Sequence, residues 1–200
     1  MKNKLVGSLV VLFIGVVSCY GQEKDLTSQI TLSQEANVFQ LKQKTETVLL
    51  ERKPFSIKFF NKKYNSDKSL FYSMQVAVLA NPADTLILTS EKKIDKIPYF
   101  EPGTGMAPGY SNMYDTIFIT NEGHNYVTYE NESDKRANLI SEKDGILELD
   151  WKIIAANYKE KDVPFDLLKL NTLYFVFLND RNLNGKIDKE ELKIVIAKFK

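Results

Sequence analysis

The sequence lacks the residues that several common kinds of site require. Its 200 residues include one cysteine and one histidine, which excludes a disulfide scaffold, a Cys/His zinc site and any mechanism that needs two imidazoles. Neither sign of charge is in excess, because 27 Lys and Arg stand against 26 Asp and Glu. No field is therefore available to hold a phosphate backbone, and we expect no nucleic-acid partner. The 44% of apolar residues are enough for one globular domain with its own core.

The first 21 residues have the pattern of a secretory signal peptide. Lys2 and Lys4 give a positive start, and no charged residue follows from Leu5 to Gln22. The apolar stretch, about 13 residues, is shorter than the roughly 20 that a membrane-spanning helix needs. We therefore expect the mature protein outside the cytoplasm, as a periplasmic protein, an outer-membrane lipoprotein or a secreted protein.

Two sites of cleavage fit this segment. Residues 16–19, Val-Val-Ser-Cys, resemble a bacterial lipobox, in which Cys19 would be lipidated and become the first mature residue. Cys19-Tyr20-Gly21 before Gln22 instead fits an ordinary signal peptidase, which prefers small residues one and three before the cut. The first would attach the protein to a membrane through acyl chains, and the second would release it. Both interpretations stay open.

The mature chain reads mainly as short strands. Apolar residues alternate with polar ones at 55–59 and at 147–153, as in half-buried strands. The run 173–178 is continuously apolar, which is typical of a strand buried on both faces. Further strands are predicted at 71–79, 85–88 and 116–120, and short helices at 154–159 and 165–170. We expect an all-β fold, a single β-sandwich or jelly-roll-like domain over 38–200 with one or two short helices, preceded by a polar tether at 22–37.

The most specific motif lies near the C-terminus, at residues 180–191. Oxygen-bearing side chains stand at positions 1, 3, 5, 9 and 12 of this segment, glycine at position 6 and an apolar residue at position 8. The segment resembles the twelve-residue calcium loop of an EF-hand at each of these positions. The resemblance implies one calcium ion, with these ligands: Asp180, Asn182, Asn184, the backbone carbonyl of Lys186, Asp188 and Glu191.

The flanks of this loop depart from the EF-hand pattern. An EF-hand joins two helices, whereas residues 174–177, Tyr-Phe-Val-Phe, favour a strand. The segment after residue 191 fits a helix or a strand equally well, and no second loop is present. We therefore expect a weak structural site at the edge of a β-domain, in the affinity range of extracellular modules, about 10⁻⁴ to 10⁻³ M. The alternative is an ordinary turn with its carboxylates in solvent.

Other candidate features are weaker. The only histidine, His124, has no nucleophile motif near it, and the glycine-rich stretch 103–109 lacks the Lys-Ser/Thr ending of a phosphate loop. The stretch 98–114 combines prolines with Tyr99, Phe100, Tyr110 and Tyr114, and could stack on sugars or a protein partner. Glu148 and Asp150 lie two apart on one predicted strand face, the arrangement that a carboxylate-based hydrolase would use.

Taken together, these patterns predict an exported calcium-binding β-domain of the cell envelope, not an enzyme. Its only expected contact with a membrane is the lipid anchor at Cys19. A carbohydrate- or ligand-binding module using the aromatic loop 98–114 is the alternative, followed by a hydrolase.

Overall fold

The structure, a computed structural model, describes residues 26–65, 70–72, 74–100, 113–114, 116–120, 137–158 and 161–200. Strands dominate this part of the chain, and its helices are three short 3₁₀ helices, at Thr27–Gln29, Pro82–Ile87 and Ile94–Lys96. The strands are β1 Thr31–Gln34, β2 Asn37–Gln40, β3 Thr45–Leu50, β4 Phe55–Asn65, β5 Leu70–Tyr72, β6 Met74–Leu79, β7 Phe118–Thr120, β8 Ala137–Lys143, β9 Ile146–Ile153, β10 Ala155–Tyr158, β11 Lys161–Pro164, β12 Thr172–Asn179 and β13 Leu192–Phe199. The expected all-β, sandwich-like fold is confirmed.

The strands form three sheets. Six strands make the first, in the order β2-β1-β4-β9-β8 with β5 paired to β4, and the second is the small sheet β11-β10-β7. The third has the order β3-β13-β12-β6, in which β3 and β13 run parallel and the other pairs are antiparallel. The central strands β12 and β13 are joined by residues 180–191, so the predicted cation loop lies at one end of this sheet.

The main core lies between the six-stranded and four-stranded sheets. Phe59 and Trp151 project into it from the six-stranded sheet, and Phe175 and Phe177 from the four-stranded sheet. Trp151 packs edge-on against Phe175, with ring centroids 6.1 Å apart. Burying such aromatic side chains contributes roughly 1.5–3 kcal/mol each. The alternation predicted for 147–153 is confirmed, because every second residue of this strand is buried.

The four-stranded sheet is covered on its other face as well. A second apolar cluster there contains Val176 and Leu178 of β12, Ile94 and Ile97 from the segment after β6, and Ile187 from the 180–191 loop. This confirms the expectation that 173–178 is buried on both faces, since all residues from Phe175 to Asn179 are buried. Ile187 thus anchors the loop in this second cluster.

The expectation of a polar tether over 22–37 is wrong from Leu26 onward. Leu26, Ile30 and Leu32 are buried in the main core, and β1 pairs with both β2 and β4. The large apolar residues of this stretch enter the core, and its polar residue Gln34 is buried as well, where its side chain bonds to the backbone of Glu51 and Lys53. Residues 22–25 and the predicted signal peptide lie outside the described residues.

Some local predictions are also wrong. Residues 85–88, predicted as a strand, lie in and just after a 3₁₀ helix that begins with Pro82 and is capped by the Asn81 side chain, whose Oδ1 accepts a hydrogen bond from the Ala83 amide at 3.0 Å. Within the predicted helix at 154–159, residues 155–158 instead form β10, because their backbone pairs with β7 and β11. Residues 165–170, also predicted helical, form a turn followed by irregular chain.

The segment after residue 191, which the sequence left open, is the strand β13. No helix among the described residues is long and apolar enough to cross a membrane.

Candidate metal centre

The loop connects the end of β12 to the start of β13, its neighbour in the sheet. Asp180 follows directly after β12, and Glu191 directly precedes β13. The two ends are held together by a backbone hydrogen bond, in which the Asn179 amide donates to the Glu191 carbonyl at 2.8 Å. The paired central strands therefore fix the separation of the first and last candidate ligands.

Both terminal carboxylates are buried, and backbone amides of the loop donate to them. The Asp180 carboxylate accepts hydrogen bonds from the amides of Asn184 and Gly185, at 3.1 and 3.0 Å. The Glu191 carboxylate accepts from the amides of Arg181 and Asp188, each at 2.9 Å. Residue exposure is 9% for Asp180 and 1% for Glu191. Each carboxylate thus organises the loop backbone around itself.

Burial raises the pKa of both carboxyl groups. For Asp180 and Glu191 alike, loss of water raises the pKa most, and the backbone hydrogen bonds offset this only in part. The negative charges of Asp180 and Asp188 raise the Glu191 pKa further. The Arg181 Nε lies 3.9 Å from Glu191 Oε1, which makes an ion pair without a hydrogen bond. The ionised forms of these two carboxylates are therefore costly in free energy.

The two asparagines converge on the third carboxylate. Oδ2 of Asp188 accepts hydrogen bonds from Nδ2 of Asn182 at 2.7 Å and from Nδ2 of Asn184 at 2.9 Å. The amide oxygens turn to the backbone, so that Oδ1 of Asn182 accepts from the Asn184 amide and Oδ1 of Asn184 from the Lys186 amide. A rotation of each side-chain amide would exchange its nitrogen for its oxygen near Asp188. Both asparagine side chains thus lie within hydrogen-bond distance of Asp188.

Gly185 gives the loop its sharp turn. Its φ is +71°, in the left-handed region that glycine adopts without cost. A Cβ built at this position would meet nothing within 4 Å, so the backbone conformation alone calls for glycine here. Leu183 and Glu190 also have positive φ angles, of 54° and 72°.

On its outer side, the loop pairs with a distant segment. The amides of Glu91 and Ile94 donate to the carbonyls of Ile187 and Gly185, at 2.8 and 2.9 Å, and the Ile187 amide donates to the Lys92 carbonyl at 2.9 Å. Nζ of Lys186 also lies 3.0 Å from Oε2 of Glu91. These three hydrogen bonds do not use the Lys186 carbonyl, which is the backbone ligand that the motif predicts.

By composition, the donor set of the loop is of the kind that hard cations prefer. It offers three carboxylates, two amide oxygens and one backbone carbonyl within twelve residues, all oxygen, as calcium prefers. Within the described ranges, no three His, Cys, Asp or Glu side chains already stand in the arrangement of a metal site. The asparagine amides donate to Asp188 in this arrangement, and binding an ion requires them to turn.

Of the predicted aromatic surface at 98–114, the structure describes residues 98–100 and 113–114. Tyr99 is fully buried and its hydroxyl donates to the Asp84 carbonyl at 3.0 Å, while Phe100 is 5% exposed. Tyr114 is half-buried and packs edge-on against Tyr99. Tyr99 and Phe100 are buried in the second apolar cluster and are not free to stack on a ligand, and Tyr114 packs against that cluster. Tyr110 lies outside the described residues.

The other candidates are placed as follows. Glu148 and Asp150 share the face of β9 that points away from the main core, where Asp150 pairs across the sheet with Lys58 and Glu148 accepts from the Ser141 hydroxyl at 2.9 Å. Cys19, His124 and the glycine-rich stretch 103–109 lie outside the described residues.

Sequence reasoning missed the residues that support the loop from outside. Residues 91–94 pair with the loop across more than ninety positions of sequence, and nothing in their composition marks them. The Thr27 hydroxyl also approaches the loop and donates to the Glu190 carbonyl at 3.4 Å. Such contacts follow from chain topology and leave no local pattern.

Comparison of the chain with protein-family models, with curated proteins and with solved structures finds no match in any of the three. The residues of the loop and their surroundings are therefore the basis for a functional assignment.

Proposed function

We propose that this protein is an exported β-domain of the cell envelope that binds one calcium ion in the loop Asp180–Glu191, in a structural or binding role. The observation that carries this proposal is the burial of two carboxylates, Asp180 and Glu191, at the two ends of one loop. Desolvated carboxylates are costly unless a charge of opposite sign compensates them. A divalent cation between them would provide that charge.

The ligand roles follow the EF-hand order of positions. Asp180, Asn182 and Asn184 would supply side-chain oxygens, Lys186 its backbone carbonyl, and Glu191 both carboxylate oxygens, with Asp188 binding directly or through a water. Binding would replace the amide contacts of the asparagines with Asp188 by contacts to the ion. The all-oxygen set disfavours soft transition metals.

The expected affinity is modest. Two of the six ligands are neutral amides, and Arg181, Lys186 and Lys189 add positive charge beside the loop. A dissociation constant of about 10⁻⁴ to 10⁻³ M is the range of extracellular modules with comparable sites. At 5 mM calcium this corresponds to a stabilisation of roughly 1–2 kcal/mol by mass action.

Isothermal titration calorimetry with calcium chloride tests the site. We expect one ion per chain and a melting temperature that rises by several degrees at 5 mM calcium, since about 1 kcal/mol shifts a domain of this size by roughly 2–4 °C. Asp180→Ala and Glu191→Gln should each weaken binding more than tenfold, whereas His124→Ala should leave it unchanged. Absence of binding heat together with an unchanged melting temperature would refute the assignment.

Export and anchoring have a separate test. Mass spectrometry of the N-terminus of the protein from its host should find either acylated Cys19 or free Gln22 as the first residue. A chain that retains Met1 in the cytoplasmic fraction would contradict the envelope assignment and leave calcium binding untouched.

A further inference from the structure

We propose that cation binding in the loop controls the order of the segment Glu91–Phe100, so that the metal site and this segment switch together. The inference rests on the proposed calcium site and adds to it a regulated element. It is carried by the contacts between the loop and residues 91–94, which do not involve the ligand side chains.

The first link is a single peptide group. The carbonyl of Lys186, the predicted backbone ligand, and the amide of Ile187 belong to the same peptide unit. Its trans geometry points these two groups in opposite directions. Because the Ile187 amide donates to the Lys92 carbonyl at 2.9 Å, the Lys186 carbonyl points away from Lys92. A cation on that carbonyl would polarise the peptide and strengthen the hydrogen bond to Lys92 on its other side.

The second link is the rest of the pairing. The amide of Ile94 donates to the carbonyl of Gly185, and the amide of Glu91 to that of Ile187. Gly185 is also tied to a ligand, because its own amide donates to the Asp180 carboxylate at 3.0 Å. A movement of the Asp180 carboxylate toward an ion would therefore displace Gly185 and, through the next hydrogen bond, Ile94.

The third link is the apolar cluster beneath the pairing. Ile187 is 2% exposed and lies in one cluster with Ile94, Ile97, Tyr99 and Phe100. The stretch from Ile94 to Phe100 contributes two of the largest rings of that cluster and leads directly into the connection that begins at residue 101. Fixing Ile187 through the loop thus fixes the side chains that hold this stretch on the sheet.

Coupling of this kind is reciprocal. If the ion stabilises the pairing, the pairing must raise the affinity for the ion by the same factor. The segment is then more firmly attached to the sheet at high calcium and less firmly at low calcium. The exported domain would thereby sense calcium through one connecting segment, with the sandwich itself unchanged.

Hydrogen–deuterium exchange of the purified chain, in EGTA and in 5 mM calcium, tests the coupling directly. Exchange of the amides of Glu91, Ile94 and Ile187 should slow by about tenfold or more when calcium is added, in line with typical coupling between sites. The comparison is with the β4–β9 pair, represented by the amides of Ile57 and Leu149, which exchange through global unfolding and should slow by no more than the mass-action factor 1 + [Ca]/Kd, about 6- to 50-fold.

Affinity measurements test the reciprocal effect. Ile94→Ala, which touches no ligand, should weaken calcium binding at least about fivefold in calorimetry. Leu147→Ala, an equally buried apolar truncation in the main core, should lower stability and leave the affinity within about twofold. If Ile94→Ala fails to fold, Ile94→Val and the exchange data on the unmodified chain decide.

The failures are distinguishable. Calcium binding by calorimetry with unchanged exchange at 91–94 would overturn the coupling and leave the site in place. Absence of calcium binding would overturn both proposals.

Discussion

Replacing Gly185 by alanine isolates the cost of one backbone conformation in the loop. The added methyl group would meet no atom within 4 Å, so no steric term enters. The φ of +71° is held by two hydrogen bonds, from the Gly185 amide to Asp180 at 3.0 Å and from the Ile94 amide to the Gly185 carbonyl at 2.9 Å. The residue cannot relax to a negative φ without breaking both.

The magnitude follows from these facts. A left-handed conformation costs an L-residue roughly 1–2 kcal/mol, and alanine recovers about 0.4–1 kcal/mol by restricting the unfolded chain. We therefore expect Gly185→Ala to lower the free energy of unfolding by about 1 kcal/mol, or the melting temperature by roughly 2–4 °C. Urea unfolding in EGTA measures this without a contribution from the ion.

The opposite change provides the control. Leu183, two residues earlier, has a φ of 54° and is 50% exposed, so Leu183→Gly should cost less than Gly185→Ala or stabilise the chain. An unchanged stability for Gly185→Ala would show that the residue is not held at positive φ in solution. A loss above about 3 kcal/mol would show that the space around it is misjudged.

Three further predictions concern the loop and its entry. The pKa values of Asp180 and Glu191 are raised above their ordinary 3.8 and 4.5, so the folded chain binds protons more tightly than the unfolded one. As pH rises from about 4 through the raised values, the stability of the wild type should therefore fall relative to that of the double variant Asp180→Asn/Glu191→Gln. Thermal unfolding in EGTA measures this difference, and a difference that stays constant with pH would contradict the prediction. Lys186→Met keeps the backbone ligand and removes only an ion pair with Glu91 between exposed side chains, so calorimetry should find calcium affinity within about fivefold of wild type; a larger loss would give the side chain a role in binding. Asn179 is fully buried, and both its side-chain polar atoms lack a hydrogen-bond partner among the residues that the structure describes. Asn179→Leu should therefore raise the free energy of unfolding in urea by about 1–2 kcal/mol, and a destabilised variant would refute the unsatisfied-amide explanation.

Much of the sheet structure could be predicted from the sequence, because the order of apolar and polar residues along a strand indicates which of its faces are buried. Alternation at 147–153 and the continuous apolar run at 173–178 indicated a strand with one buried face and a strand with two, as the structure has them. The predictions failed where pairing with distant strands outweighed local pattern. Ala155–Tyr158 has no strong preference of its own and becomes a strand between β7 and β11.

The N-terminal part of the domain shows the same limit. Its polar composition indicated a tether, yet Ile30 and Leu32 are enough to place this stretch in the main core. The sheet supplies backbone partners through β4, which the local sequence cannot reveal. The parallel pairing of β3 with β13, across almost the whole domain, is likewise a property of topology.

The candidate ligands of the loop can be recognised from the sequence alone. Six candidate oxygen ligands and a turn glycine fall within twelve residues, and their order depends only on the local chain, because successive candidates are two or three positions apart. Only the tertiary structure decided that Asp180 and Glu191 are buried and that their separation is set by two central strands. It also decided that Ile187 binds a segment more than ninety residues away. Burial and long-range pairing depend on how the sheets stack, since desolvation and backbone hydrogen bonds are set by neighbours that are distant in sequence.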